Sequence, residues 1–236
     1  MPVVILAGGL GSRLKEILPN TQKVVAEVAG RPFLDILLDE LASNGFQKVI
    51  LAVGHRSDQV RSLIRSRPKD HLDISFSHEK QKLGTGGAVK FASRMLKDQD
   101  MMVVNGDTYF LCDYAELIKF HKYKNSRLTI LLREVRDSSR YGSVVVDSMG
   151  RIVKFAEKSK SEKGIVNAGA YIFDKSIINM MPSRDSFSLE LDFIPELIIK
   201  NVNVNGMNQS GLFFDIGTPE TLENADKILK SRNAPN

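Results

Sequence analysis

Between Leu6 and Leu14 the chain reads Leu-Ala-Gly-Gly-Leu-Gly-Ser-Arg-Leu, with three glycines inside four positions and an arginine two places on. Glycine leaves its backbone N–H unshielded, so Gly8, Gly9 and Gly11 can bring amides up to phosphate oxygens while Arg13 adds a forked cation. A tight turn at positive φ would account for two of these glycines but not for the arginine. Two better-known phosphate loops are excluded. The dinucleotide fingerprint G-x-G-x-x-G fails because Leu14 replaces its third glycine and Gly54-His55 follows the second strand where an acid is required. A Walker A loop needs Gly-Lys, a pair that occurs nowhere in the sequence.

Asp107 closes the apolar run that begins at Met101, and Asp215 closes the run from Gly211 to Phe214. Two carboxylates at strand ends suit a single hard cation bridging phosphates. Taken alone, Asp107 fits a helix N-cap equally well, and Asp215 before Gly217-Thr218-Pro219 fits a turn. Most lysines are solvated surface charges. Lys23 among Val24, Val25 and Ala26, and Lys158 after the run Ile152 to Phe155, are instead set on ordered elements. His55, His71, His78 and His121 share no metal-ligand spacing.

These groups need a scaffold, and the 236 residues suffice for one α/β domain. Hydrophobic residues at 42% and charged residues at 26% are globular values, which excludes disordered and fibrous classes. The longest stretch without Asp, Glu, Lys or Arg, from Asn201 to Phe214, is too short and too rich in Asn for a membrane helix. The N-terminus has no basic region before its apolar run and reads as a buried strand, and Cys112 is the one cysteine, so a cytoplasmic location is expected. A net charge of +5 suits an anionic small ligand, while the scattered Lys and Arg give no support for nucleic acid.

Strands are predicted at Val3 to Leu6, Lys48 to Val53, Leu72 to Phe76 and Met101 to Asn105. They alternate with helices at Pro32 to Ala42, Ser57 to Arg65 (led by Ser57 as cap) and Gly86 to Leu96. That succession predicts a parallel sheet wrapped by helices on both faces, with the ligand at its carboxyl ends. After a helix near Tyr114 to Tyr123 the pattern turns to hairpins. Strands are expected at Leu128 to Leu132, Ser143 to Val146, Ile152 to Glu157 and Val166 to Phe173, and closing helices at Leu189 to Lys200 and Glu220 to Arg232.

The loop Leu-Ala-Gly-Gly-x-Gly-x-Arg-Leu resembles the signature of the sugar-1-phosphate nucleotidyltransferases, and further pieces follow in that family's order over almost the whole chain. Lys23 matches the lysine closing the signature, with Gln22 where the family has proline. Gly30-Arg31-Pro32 resembles the lead into the first long helix, Leu83-Gly84-Thr85-Gly86-Gly87-Ala88 the base loop, and Asn105-Gly106-Asp107 the metal site. Tyr141-Gly142, Glu157-Lys158 and Asn167-Ala168-Gly169 resemble its sugar-phosphate segments, and Asp215-Ile216-Gly217-Thr218-Pro219 completes the set.

The resemblance implies a Rossmann-like three-layer fold with a mixed, mainly parallel sheet over 1–236, residues 1–110 binding nucleotide and 111–236 the sugar phosphate. It implies Mg²⁺ on Asp107 and Asp215, catalytic roles for Arg13, Lys23 and Asp107, and nucleotide contacts from Leu6, Ala7, Gly8, Gly9, Gly11, Ser12, Arg13, Gly84, Thr85, Gly87, Asn105 and Gly106. The sugar phosphate would meet Tyr141, Gly142, Glu157, Lys158, Asn167 and Gly169. Within the family, Leu83 to Ala88, Asn105 to Thr108, Arg140-Tyr141-Gly142 and Phe187 to Glu190 are most similar to the enzymes that join GTP to a heptose 1-phosphate. Guanine offers N–H donors, so Glu79 is either an acceptor for it or a surface partner of Lys80 and Lys82. Enzymes acting on mannose or glucose 1-phosphate are the nearest alternatives, and a glycosyltransferase or a catalytically silent homologue the more distant ones. Assembly into a homo-oligomer is compatible with the sequence.

Overall fold

The computed structural model describes residues 1–9, 11–14, 16–68, 71–96, 99–138, 141, 143–156 and 163–233. The first half runs β1 (Val3–Leu6), a hairpin of β2 (Glu27–Val28) and β3 (Arg31–Pro32), α1 (Phe33–Ser43), β4 (Lys48–Val53), α2 (Ser57–Ser66), β5 (Asp73–His78), α3 (Gly84–Ser93) and β6 (Met101–Asn105). Then come β7 (Thr108–Phe110), α4 (Tyr114–Tyr123), β8 (Leu128–Val135), β9 (Ser143–Val146), β10 (Ile152–Ala156) and β11 (Gly164–Phe173). A π-helical turn over Leu189–Phe193 leads into α5 (Ile194–Ile199), followed by β12 (Val204–Asn208), β13 (Phe213–Asp215) and α6 (Pro219–Asn233).

One nine-stranded sheet has the order β10-β9-β11-β6-β1-β4-β5, with β8 joining β11 to β12. β1 is parallel to β4 and β6, and β4 to β5, whereas β11 returns antiparallel along β6. Strands covered on both faces read as unbroken apolar runs because neither face meets water. Thus Val3 and Ile5 pack with α1 (Leu34, Leu38, Leu41) and with Leu117 of α4, while Val4 packs on the opposite face with Val89 of α3 and Leu197 of α5. Helices on both sides of the sheet make the expected three layers.

β7 and β13 form a separate two-stranded ladder covered by α1 and α6, with Tyr109 stacked on Phe214 at 5.1 Å. Because Asp107 enters strand β7, the helix-cap reading of that residue is corrected. Three further expectations shift. Arg56, in a left-handed conformation, caps α2, and Ser57 is its first helical residue. α3 begins at Gly84 and ends at Ser93 instead of spanning Gly86 to Leu96. The uncharged, Asn-rich stretch after Asn201 contains β12, parallel to β8, where β propensity gave no signal and tertiary pairing prevailed.

Candidate active site

β1, β4 and β6 all end at one edge of the sheet, where a cleft of about 820 Å³ opens. Leu6, Gly8, Gly9 and Gly11 line one wall, Glu79, Gly84 and Thr85 another, and Lys23, Asn105 and Asp107 the end next to β6. The glycine loop is pinned from behind by Gln22, 2% exposed, whose Nε2 donates to Ala7 O at 2.7 Å and whose N–H donates to Gln59 Oε1 at 2.6 Å. Gln22 thereby holds the loop through hydrogen bonds that a proline there could not make. A Cβ on Gly9 would meet nothing within 4 Å, so its backbone is open to a ligand. Ala7 is buried, and Arg13 is exposed on the short turn after the loop.

Lys23, only 13% exposed at its side chain, places Nζ 2.5 Å from Asp107 Oδ2. The β7–β13 ladder sets Asp215 opposite Thr108, and Ile216 N donates to Asp107 O at 2.9 Å, which brings the two carboxylate-bearing turns side by side. Asp215 Oδ1 accepts from Gly217 N at 2.7 Å and from Thr221 Oγ1 at 3.1 Å, and Oδ2 accepts from Tyr141 OH at 2.7 Å. No cluster of three or more His, Cys, Asp or Glu able to hold a metal occurs among the described residues. Two carboxylates without a protein cage fit a magnesium ion that takes its remaining ligands from phosphates and water.

Glu79 leans on the glycine backbones: a Cβ on Gly8 would lie 2.8 Å from its Oε1, and one on Gly54 2.6 Å. Burial raises the Glu79 carboxyl above the usual range, offset in part by the Leu83 N–H and by Lys82. It lines the cleft half-buried, with Lys80 and Lys82 beside it. Asn105 Oδ1 is buried without a hydrogen-bond partner, an acceptor suited to a ligand's donor.

The loop from Leu83 to Ala88 does two jobs. Gly84 and Thr85 face the cleft, whereas a Cβ on Gly87 would lie 2.1 Å from Asp185 O and one on Gly86 2.2 Å from the Phe187 ring. The glycines of that pair thus allow α3 to pack against 185–187. The Thr85 hydroxyl is engaged inside the protein, accepting from Leu189 N at 2.8 Å and donating to Glu190 Oε2 at 2.9 Å. Gly106 packs under β1, its N–H donating to Leu6 O at 3.1 Å. Asn167 and Gly169 sit in an irregular stretch of β11, with the Gly169 Cα beside the Asn105 side chain. Tyr141 reaches Asp215, as above. Gly142, Glu157, Lys158, Arg140 and the Ser12 side chain lie outside the described residues. Cys112 is no nucleophile at neutral pH, since burial pushes its thiol up to about 12.

Two contributors escaped the reading of the sequence. Gln22 stands out in the sequence only as a departure from the family's proline, and Glu190 only as the last residue of the Phe187 to Glu190 segment; in both cases burial and hydrogen bonding, invisible along the chain, make the role.

The Nucleotidyl transferase family model matches residues 2–232. A D-glycero-alpha-D-manno-heptose 1-phosphate guanylyltransferase from Aneurinibacillus thermoaerophilus is 32% identical over 98% of this chain and 99% of its own. The protein of that name from Campylobacter jejuni is 34% identical over 93% of this chain and 96% of its own. The crystal structure of HddC from Yersinia pseudotuberculosis complexed with GMP-PN superposes with a TM-score of 0.87 at 36% identity, covering 97% of this chain and 99% of that one.

Proposed function

The chain belongs to the nucleotidyl transferase family, and we propose that it transfers GMP from GTP to D-glycero-alpha-D-manno-heptose 1-phosphate, giving GDP-heptose and pyrophosphate. A phosphate oxygen of the sugar ester attacks the α-phosphorus in line, one P–O bond forms, and the bond to the β-phosphate oxygen breaks as pyrophosphate leaves. The attacking oxygen already carries its charge, so no general base is required, and the obstacle is repulsion between two polyanions.

Each group in the cleft answers that obstacle. The amides of Gly8, Gly9 and Gly11 receive the triphosphate, Lys23 approaches the α-phosphate, and Arg13 follows the departing pyrophosphate. Lys158 would balance the sugar phosphate. Asp107 and Asp215 would hold Mg²⁺, which supplies further positive charge to the phosphates. Glu79, against Gly8 and Gly54, supplies the acceptor that guanine's N1–H and exocyclic amine require.

What carries this reading is the convergence of Lys23, Asp107 and Asp215 beside a glycine loop at the carboxyl edge of the sheet. The test is pyrophosphate release with four nucleoside triphosphates against heptose, mannose and glucose 1-phosphates. GTP with the heptose ester should lead by tenfold or more, because other bases leave a buried acceptor unpaired at about 1 to 3 kcal/mol each. A lead by UTP or dTTP would remove the guanylyl assignment, and a lead by mannose 1-phosphate the heptose assignment. The described residues contain no helix long and apolar enough to cross a membrane.

A further inference from the structure

Behind the cleft, one carboxylate collects three hydroxyls. Glu190, on the π-helical turn, accepts from Thr85 Oγ1 and Ser188 Oγ at Oε2, each at 2.9 Å, and from Tyr171 OH at Oε1 at 3.1 Å. π-Helical turns cost backbone geometry and recur at functional sites. The donors come from three places: the first turn of α3, Ser188 at the N-cap of the π-turn, and β11.

The direction of every proton in this cluster is determined. A carboxylate only accepts, so all three hydroxyls donate to it. Tyr171 is fully buried, and its hydroxyl is held well above the usual phenol range by burial and by Glu190, so it keeps its proton. Having given that proton to Glu190, Tyr171 OH can only accept from Asn167, whose Nδ2 lies 2.6 Å away. The Asn167 carboxamide must then turn Oδ1 to the Gly169 N–H, at 3.0 Å. Gly169, at φ +77°, carries the kink of β11 past Asn105, whose side-chain atoms would lie 3.0 Å from a Cβ there.

We infer that Glu190 is a positioning residue: through Tyr171 it fixes the orientation of the Asn167 carboxamide and the β11 kink, and so couples the base loop to the sugar end of the cleft. The inference rests on the proposed nucleotidyl transfer for its kinetic consequence, and on the hydrogen-bond chain alone for its structural one. Glutamine at 190 cannot replace the carboxylate. With its amide nitrogen toward Tyr171, that hydroxyl either accepts from both amides and leaves its own proton unpaired, or donates to Asn167, which turns the carboxamide over and sets two N–H donors face to face at Gly169. With its amine toward Thr85 and Ser188, both of those hydroxyl protons lose their acceptor. Either arrangement leaves a buried network part-satisfied.

The experiment compares Glu190→Gln, Tyr171→Phe and the double variant, reading the side-chain amide resonance of Asn167 in the ligand-free protein, the melting temperature, and kcat and KM for both substrates. The Asn167 resonance should move in both single variants while cooperative melting persists. kcat/KM should fall at least tenfold in each, and the double variant should be no more than about twofold worse than the poorer single one, as expected for one chain of bonds. An unmoved Asn167 resonance in Glu190→Gln, or losses that multiply in the double variant, would overturn the inference. If the wild type turns over no nucleotide and sugar phosphate pair, the functional proposal falls, and the Asn167 resonance decides the relay on its own.

Discussion

Lys23 and Asp107 stand at contact distance in the cleft proposed to accept the triphosphate. Asp107→Ala should lower kcat by about 10² to 10³ with little change in melting temperature, the usual cost of one electrostatic contact at a transition state. Asp215→Ala should cost similar activity and also stability, because its carboxylate ties down Gly217 N, Thr221 and Tyr141. Calorimetric unfolding beside turnover separates the two; equal melting losses would show that Asp107 too is chiefly structural. Glu79 gives a pH prediction. Its carboxyl is raised by burial, so the folded protein holds that proton to higher pH than the unfolded chain. The group's contribution to stability therefore improves as pH falls through the raised pKa and is lost as pH rises. Guanine binding should run the opposite way, KM for GTP climbing as the acceptor is protonated. Glu79→Gln should flatten that climb and reduce the preference for GTP, and a pH dependence unchanged by the substitution would remove Glu79 from the base site.

Among the elements, the base loop and the phosphate loop use glycine for different reasons, and alanine tells them apart. Gly87→Ala forces a methyl 2.1 Å from a backbone carbonyl, an overpacking that costs about 1 to 3 kcal/mol. Gly9→Ala meets open space and should leave melting unchanged while lowering turnover, since its methyl would stand where phosphate approaches. Thermal melts and kcat/KM on the two variants check this contrast, which a stability loss in Gly9→Ala would erase. The regular part of this architecture was legible in advance: β1 and β4 are apolar runs that stop short of Gly8 and Gly54, β6 is one that ends in Asn105, and α4 and the β9–β10 hairpin fall where the sequence placed them. β12 was not, since Val-Asn-Gly-Met-Asn carries no strand pattern and is held by its partner β8. The gathering of Gly8, Gly9, Lys23 and Asp107 at the cleft, with Asp215 beside it, was legible through the family resemblance, because residue type alone left Asp107 open to a helix cap and Asp215 to a turn. The candidate site was illegible where a role is made by burial, as for Gln22 and Glu190, or where one glycine serves packing and its neighbour the cleft.

Across the whole molecule, the expected division into a nucleotide-binding half and a sugar-binding half does not follow the sheet. β11, from the second half, lies against β6 of the first, and β13 supplies Asp215 to the ladder that begins beside Asp107. A fragment ending at Phe110 should therefore lack a stable fold and fail to bind GTP, as sedimentation and circular dichroism would reveal; a monomeric, cooperatively melting fragment would show the halves to be separable. The same pairing has a temporal consequence. During synthesis β6 leaves the ribosome with β1 available on one side and nothing for the other until Ala170 to Phe173 emerge. That interval is about 65 residues of translation, or roughly 3 to 13 s at ordinary elongation rates. For that time the nascent chain presents an unpaired strand edge, Met-Met-Val-Val, of the kind that pairs with neighbouring chains. Expression yield should thus depend on chaperone supply and on translation speed between these two strands more than on the stability of the finished protein.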